Sequence, residues 1–415
     1  MDHLDLPSAY LEAGPSAEEL NRTLLSNLPQ STLIQADITS EDKSSTEPVR
    51  VTRKDNSNQV GAVISKIEDI FESFADCILE QRKELVIELK SRSKPRVKLD
   101  HEEAEKAKAE EDEEVQMGRR TTRITFPSRN QREAWKFTAL LRILELSHEA
   151  LVTGIVTTKR SDIYYRGPEI FMKQAVVDRY VDDIAYTFGV GRDALNIVAA
   201  AKGLVAGSLL LTRKDTSFIN FTLEAQGILI PNPNDIETIQ FLDVKWILVI
   251  EKEATFRTLA SNQYWNHSQA GRGILITAKG YPDIQTRQFL HLLSVHHPTI
   301  PVHALVDFDP DGIGIFSTYK HGSASLSHEN DLAVPSMKWL GVRSCDFLRN
   351  EIDGRGLLRL SERDRRIAVR MLEREGEEAQ RRELQVMLLL GVKAEIQILG
   401  NGERLGEWLD GRLIG

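Results

Sequence analysis

The chain has 415 residues, enough for two or three domains, with 41% hydrophobic and 28% charged side chains. Its two cysteines, Cys77 and Cys345, stand far apart, which rules out a disulfide framework or a cysteine-built zinc site and suits a reducing compartment. No apolar run approaches the roughly 18 residues that span a bilayer, and the N-terminus has no signal-peptide core. The net charge of −9 argues against a nucleic-acid binder only until its distribution is read. Residues 1–48 carry a net −7 and residues 101–115 a net −6, so the rest of the chain carries +4 and is compatible with DNA.

In chain order, residues 1–50 mix Ser, Thr, Pro, Asn and acids and read as a disordered acidic tail. From Val60 to Leu89, apolar residues recur at helical spacing through Val63, Ile67, Phe71 and Phe74, which predicts a partner-facing or domain-packing helix. The basic stretch from Lys90 to Lys98 and the acidic run after it read as a solvated linker, so 51–118 is a helix plus charged linker. Trp135, Leu140, Ile143 and Leu144 form the apolar face of a helix over 132–151. A second helix runs from about Glu169 to Phe188 and ends at Gly189 to Gly191, followed by a short helical stretch over 193–201 and strands over 203–230. Helix, turn, helix, then β-hairpin is the order of a winged-helix DNA-binding domain, placed at 119–235.

From 240 to 415 the pattern changes. Trp246 to Glu251, Gly273 to Lys279 and Val302 to Asp309 are continuous apolar strands separated by helices over 254–261 and 285–293. That alternation predicts a parallel α/β sheet covered on both faces, with its active site at the carboxyl ends of the strands.

Glu251 and the pair Asp307/Asp309 fall at those ends. A buried strand rarely ends in a carboxylate, and three such carboxylates form a hard, all-oxygen donor set of the kind magnesium takes with waters and a phosphate. Asp307, Asp309, Asp311 and Gly312 also spell the start of an EF-hand loop. Position twelve of that loop is Thr318 rather than glutamate, and a strand precedes it, so the calcium reading fails. The Gly189-x-Gly191-x-x-Ala194 match follows a helix rather than a strand, which excludes a dinucleotide fingerprint.

Tyr164 and Tyr165 sit in TTKRSDIYYRGPEIF beside Lys159, Arg160 and Arg166. On its own a tyrosine pair before a helix is more often packing. With cations close by, a phenol of pKa about 10 becomes a usable nucleophile toward phosphorus.

Taken together, ITFPSR, TTKRSDIYY, QAVVDR, LNIVAAAKGLVAG, VIEKEATF, TAKGYPD, VDFDPDGIGI and MKWLGVRSCD, in that order over about 120 to 400, resemble one family. It is the meiotic double-strand-break transesterase (Spo11) family, related to the A-chain of type VI topoisomerase, and the resemblance is greatest to fungal members. The resemblance implies a winged-helix (CAP-like) domain carrying the nucleophile Tyr165, followed by a Toprim (Rossmann-like) α/β domain. It further implies Mg²⁺ at Glu251, Asp307 and Asp309, and DNA contacts from Arg160 and Lys202. The family reads Lys-Arg-Asp-Ile-Tyr-Tyr, whereas here Ser161 is interposed and Arg160 lies five residues before Tyr165.

The implied enzyme is a tyrosine transesterase like the ATP-hydrolysing type II DNA topoisomerases, making meiotic breaks through a 5′-phosphotyrosyl intermediate. The implied partners are double-stranded DNA, a second copy of the chain (a homodimer), other meiotic break factors and a topoisomerase VI B-like accessory subunit. The implied place is the nucleus, on meiotic chromosomes, with no membrane role. Three alternatives stay open: a type VI topoisomerase A-chain that religates breaks with an ATPase partner, an inactive winged-helix/Toprim binding protein, and a Toprim hydrolytic nuclease. The chain has no GxxxxGK[ST] phosphate loop of its own.

Overall fold

The computed structural model describes residues 48–51, 57–81, 84–90, 121–154, 157–158, 163–198, 201–323, 326, 329, 331–348, 356–374, 376–400 and 402–414. Residues 1–47 of the acidic tail, the basic stretch after Lys90, the acidic run, Arg160 and Ser161 lie outside the described residues, while Val49–Arg50, read as part of the tail, forms a short strand. No helix among the described residues is long and apolar enough to cross a membrane. Two hydrophobic cores organise the fold, one built from residues between Val63 and Ile197 and one from residues between Leu204 and Leu409.

The first body packs three long helices against an antiparallel strand pair. Helix α1 (Ser57–Leu79) buries Val63, Ile67 and Phe74 along one stripe. The helical periodicity read to Leu89 breaks earlier, at Gln81, whose φ of 55° no continuing helix tolerates. Leu85–Lys90 is instead strand β1, paired in register with β2 (Thr121–Phe126). A single β-branched run with alternating burial looks alike in both periods over so few residues, and pairing with a distant partner decides it.

Helix α2 (Gln131–Thr153) starts where the Asn130 side chain accepts the Glu133 N–H at 2.9 Å, and ends at Gly154 in the left-handed region. The Glu169–Phe188 segment is two pieces, a turn over Pro168–Phe171 and helix α3 (Gln174–Phe188), parted at Met172 with φ 52°. Gly189 closes α3 at φ 72°, as its position after the last apolar residue predicts. Of the helical stretch read over 193–201, the described residues are helical only at Arg192–Leu195, as a single 3₁₀ turn.

The second body is a mixed sheet between helices. Its strands are β3 (Leu204–Gly207), β4 (Leu209–Arg213), β5 (Phe218–Asn220), β6 (Ile228–Leu229), β7 (Ile236–Phe241), β8 (Val244–Ile250), β9 (Arg272–Thr277), β10 (Val302–Leu305) and β11 (Lys338–Gly341). The six-stranded sheet runs β11-β10-β8-β9-β3-β6; its first four strands are parallel, and β3 and β6 join antiparallel. The strands at 203–230, read as a wing on the first body, therefore pack in the second core. Leu204 and Val205 extend this sheet, while β4 and β5 enter a separate four-stranded sheet with β7 and Val49–Arg50. Alternating burial identified them as strands, but nothing local says which sheet receives them.

Helices α4 (Glu253–Ser261), α5 (Ile284–His296) and α6 (Pro310–His321) connect the parallel strands. The C-terminal part adds α7 (Glu362–Leu372), α8 (Glu378–Leu390), α9 (Glu403–Leu413) and the antiparallel pair β12 (Leu357–Arg359) and β13 (Val392–Ala394).

Candidate active site

Strands β8 and β10 lie side by side in parallel, with Ile250 opposite Leu305. Both chains leave the sheet at the same level, so Glu251 and Asp307 emerge as neighbours. Glu251 donates its backbone N–H to the Leu305 carbonyl at 3.0 Å, and Glu251 Oε2 accepts the Asp307 N–H at 2.9 Å. Between the two aspartates, the Phe308 ring is buried edge-on against Phe347 at 5.1 Å. The Phe308 backbone exchanges both hydrogen bonds with Ala394 on β13. Asp307, 6% exposed, accepts the Ile396 N–H through Oδ1 at 2.8 Å. Asp309 caps α6, accepting the Gly312 N–H through Oδ1 at 2.7 Å.

Each of the three carboxylates thus commits one oxygen to a backbone N–H. Asp307 Oδ2 faces Lys252 Nζ at 3.3 Å, and among the described residues no donor reaches the second oxygen of Glu251 or Asp309. Burial raises all three acids above their ordinary range. Asp307 and Asp309 add to the burial of Glu251, which is pushed up to about 8. The cluster is short of positive charge.

Lys252 supplies part of it. Burial by itself would lower this ammonium, but Glu395 at 2.9 Å and Asp307 hold it above the usual lysine range. Around the rim, Arg363 pairs with Asp311 at 2.7 Å and Lys393 with Asp364 at 2.9 Å. Tyr281 donates to Asp311 at 3.3 Å. Lys202 donates through Nζ to the Tyr281 carbonyl at 2.7 Å, which fixes it beside this cluster.

Among the described residues, no three acidic, imidazole or thiol groups close into a ready-made metal cage. The donor set nevertheless fits a hard divalent cation. Magnesium keeps most of its waters and takes one or two carboxylates plus substrate phosphate, and an under-neutralised group of half-committed carboxylates meets that need.

Tyr164 packs against the first core. Ile163 and Phe171 are buried on either side of it, which pins the intervening turn. Tyr164 is half-buried, and its hydroxyl donates to the Met172 carbonyl at 3.4 Å. Tyr165 stacks edge-on against Tyr164 at 5.3 Å and is 62% exposed. Arg166 pairs with Glu149 at 3.3 Å. No hydrogen bond or ion pair among the described residues joins Tyr165 to Glu251, Asp307 or Asp309.

The sequence pointed to Glu251, Asp307, Asp309, Tyr165, Lys202 and Arg160; the structure groups the three carboxylates with Lys202 and not with Tyr165, and Arg160 lies outside the described residues. Lys252, Tyr281, Arg363 and Lys393 were missed. Lys252 directly follows Glu251, and that adjacency is the signal that could have found it; the other three arrive from distant segments.

Comparison with known proteins follows the same division. A family model for the Toprim domain of Spo11 and the topoisomerase 6 A-chain matches residues 246–404, and one described as Type IIB DNA topoisomerase matches 135–197. The human protein named Meiotic recombination protein SPO11 is 35% identical over 302 residues, covering 71% of this chain and 74% of its own. The chain belongs to the Spo11/topoisomerase 6A family. Within that family it is also similar to Meiotic recombination protein rec12 of Schizosaccharomyces pombe, 37% identical over 277 residues (66% of this chain, 75% of that one). The A-chain of DNA topoisomerase 6 from Arabidopsis thaliana is 35% identical over 272 residues, 64% of this chain and 62% of its own. Residues 246–404 of the second body are accordingly a Toprim domain, and residues 135–197 of the first body belong to the topoisomerase 6A N-terminal domain.

Proposed function

We propose that this protein is a DNA transesterase that makes meiotic double-strand breaks, with Tyr165 as nucleophile. The observation that carries the reading is the contrast within the tyrosine pair: the Tyr165 ring stands in solvent while the Tyr164 hydroxyl is occupied by the Met172 carbonyl. The Toprim match and the relatives named meiotic recombination proteins support the substrate class.

In the proposed step, Tyr165 Oη attacks a backbone phosphorus in line and releases its proton to solvent. The P–O3′ bond breaks, giving a 5′-phosphotyrosyl protein and, after protonation, a free 3′-hydroxyl. No water is consumed, so the step is reversible. Glu251, Asp307 and Asp309 would hold Mg²⁺, which when bound offsets charge on the phosphate oxygens. Lys252 keeps Asp307 in place, and Lys202, with Arg160, contacts the DNA backbone.

Tyr165 and the carboxylates are anchored in different cores, so we assign each cutting site to two protomers of a symmetric dimer, tyrosine from one and carboxylates from its partner. A dimer also supplies the two nucleophiles that a duplex cut requires. The helices and strand pair of the first body suit a CAP-like winged-helix arrangement. The setting is the nucleus, on meiotic chromosomes. The partners there are other break factors together with a topoisomerase VI B-like subunit.

The experiment is a denaturing immunoprecipitation with end-labelling, in meiotic cells or with reconstituted partners and Mg²⁺. DNA-linked protein should form with wild type and Tyr164→Phe, and vanish with Tyr165→Phe and Glu251→Ala. Absence of any adduct in wild type, with DNA binding intact, would refute the transesterase and leave hydrolytic cleavage or, if the DNA stays uncut, a binding role. The similarity to the topoisomerase 6 A-chain supports a second reading, the same chemistry followed by religation, and there breaks would accumulate only transiently.

A further inference from the structure

Helix α6 has two functional ends. Asp309 caps its start at the carboxylates, and Lys320 and His321 lie in its last turn, about 16 Å away at roughly 1.5 Å rise per residue. At that far end a cavity of about 480 Å³ opens between α6, the edge strand β11 and the start of α8. None of the residues lining it takes part in the proposed cleavage.

Two residues lining it each carry a fully buried nitrogen without a partner among the described residues. His303 on β10 is 8% exposed, and its Nδ1 meets no acceptor or donor. Arg343 lays its guanidinium over the Trp339 ring at 5.2 Å and donates one amino group to the Trp339 carbonyl, but its buried Nε meets nothing. Buried polar groups left unpaired cost free energy, and in native proteins such groups call for a ligand, a water or an ion.

The surroundings select which ligand. Lys338 lies in register with His303 on the adjacent strand and is exposed at the mouth. Lys320 adds a second ammonium, bridged to Glu377 at 2.7 Å. Arg412 closes one side and is tied to Asp346. Cations outnumber acids here, and Met337 and Phe316 give an apolar wall. Burial and the charge of Lys338 push His303 down to about 4, so its imidazole is neutral at pH 7 and adds no positive charge to the cavity. The volume falls within the roughly 300–1,000 Å³ of small-ligand pockets, more than a lone oxyanion fills. We propose that this cavity is a second ligand site, taking a nucleoside phosphate with its phosphate oxygens on Lys338, Lys320 and the Arg343 guanidinium and its base along the apolar wall.

The test is calorimetric titration of the full chain in EDTA with ATP, AMP, inorganic phosphate and a short DNA duplex. ATP or AMP should bind saturably, one per chain, and inorganic phosphate more weakly. Lys338→Glu and Lys320→Met, both at the cavity mouth and checked for folding by circular dichroism, should each weaken nucleotide binding by about tenfold, a loss of one good charged contact. Glu251→Gln should bind nucleotide like wild type, because the carboxylates lie at the other end of α6. Four outcomes would overturn the proposal: no saturation at millimolar nucleotide, unchanged affinity in folded Lys338→Glu and Lys320→Met, equal affinity for phosphate and AMP, or loss of binding in Glu251→Gln. Displacement of nucleotide by the duplex would also overturn it, assigning the cavity to the DNA path.

Discussion

Replacing Glu251 with glutamine removes a charge that the folded protein holds at a cost. Burial first, and then Asp307 and Asp309, raise this carboxyl from 4.5 to about 8. The unfolded chain has no such surroundings, so between those two values the folded state binds the extra proton. Stability therefore declines as pH rises through that window and reaches its floor above about pH 8. At roughly 1.4 kcal/mol per pH unit the ceiling on this penalty is about 5 kcal/mol, and water entry and local relaxation bring it to about 1–3 kcal/mol. Glutamine keeps an oxygen for the Asp307 N–H and carries no charge. In EDTA, Glu251→Gln should match wild type in urea unfolding at pH 5 and exceed it by that margin at pH 8. Mg²⁺ should stabilise wild type more at pH 8 than at pH 5 and leave the variant nearly unmoved. A variant that is destabilised equally at every pH would refute the reasoning, because Glu251 would then be a packing residue and not a strained charge.

Other outcomes follow from the same geometry. Tyr165→Phe should change stability by no more than about 0.5 kcal/mol, since the ring is exposed, while losing all covalent DNA adduct; a large drop in melting temperature would mark Tyr165 as structural. Lys202→Ala should weaken DNA binding alike across sequences and flatten the plot of log affinity against log salt by about one unit, a change that a sequence-dependent loss would contradict. At Gly273 an added Cβ would lie 2.3 Å from the Trp246 ring, so Gly273→Ala should cost about 1–3 kcal/mol in denaturant unfolding; a neutral result would mean that Trp246 has room to shift.

The parallel strands were legible because they are long, apolar and bounded by helices, and three carboxylates at their ends stood out as anomalies. Helix α2 and the Gly189 stop were legible for equally local reasons. What escaped were choices made by distant partners. Leu85–Lys90 is a strand because Thr121–Phe126 pairs with it, and Leu204–Gly207 leaves the first body because β9 offers it an edge. Lys393 and Arg363 reach the site through the C-terminal segment, which no motif ties to the DFD sequence.

That segment has a consequence for how such genes are read. Phe308 is held by Ala394, and Asp307 by the N–H of Ile396, so the position of both aspartates is fixed by residues far downstream of the motifs. A frameshift or premature stop between residues 347 and 391 would spare every one of those motifs and still unhook the acidic cluster from its support. Scoring a homologue as intact because its tyrosine and three acids are present therefore overlooks the part of the reading frame on which their alignment depends.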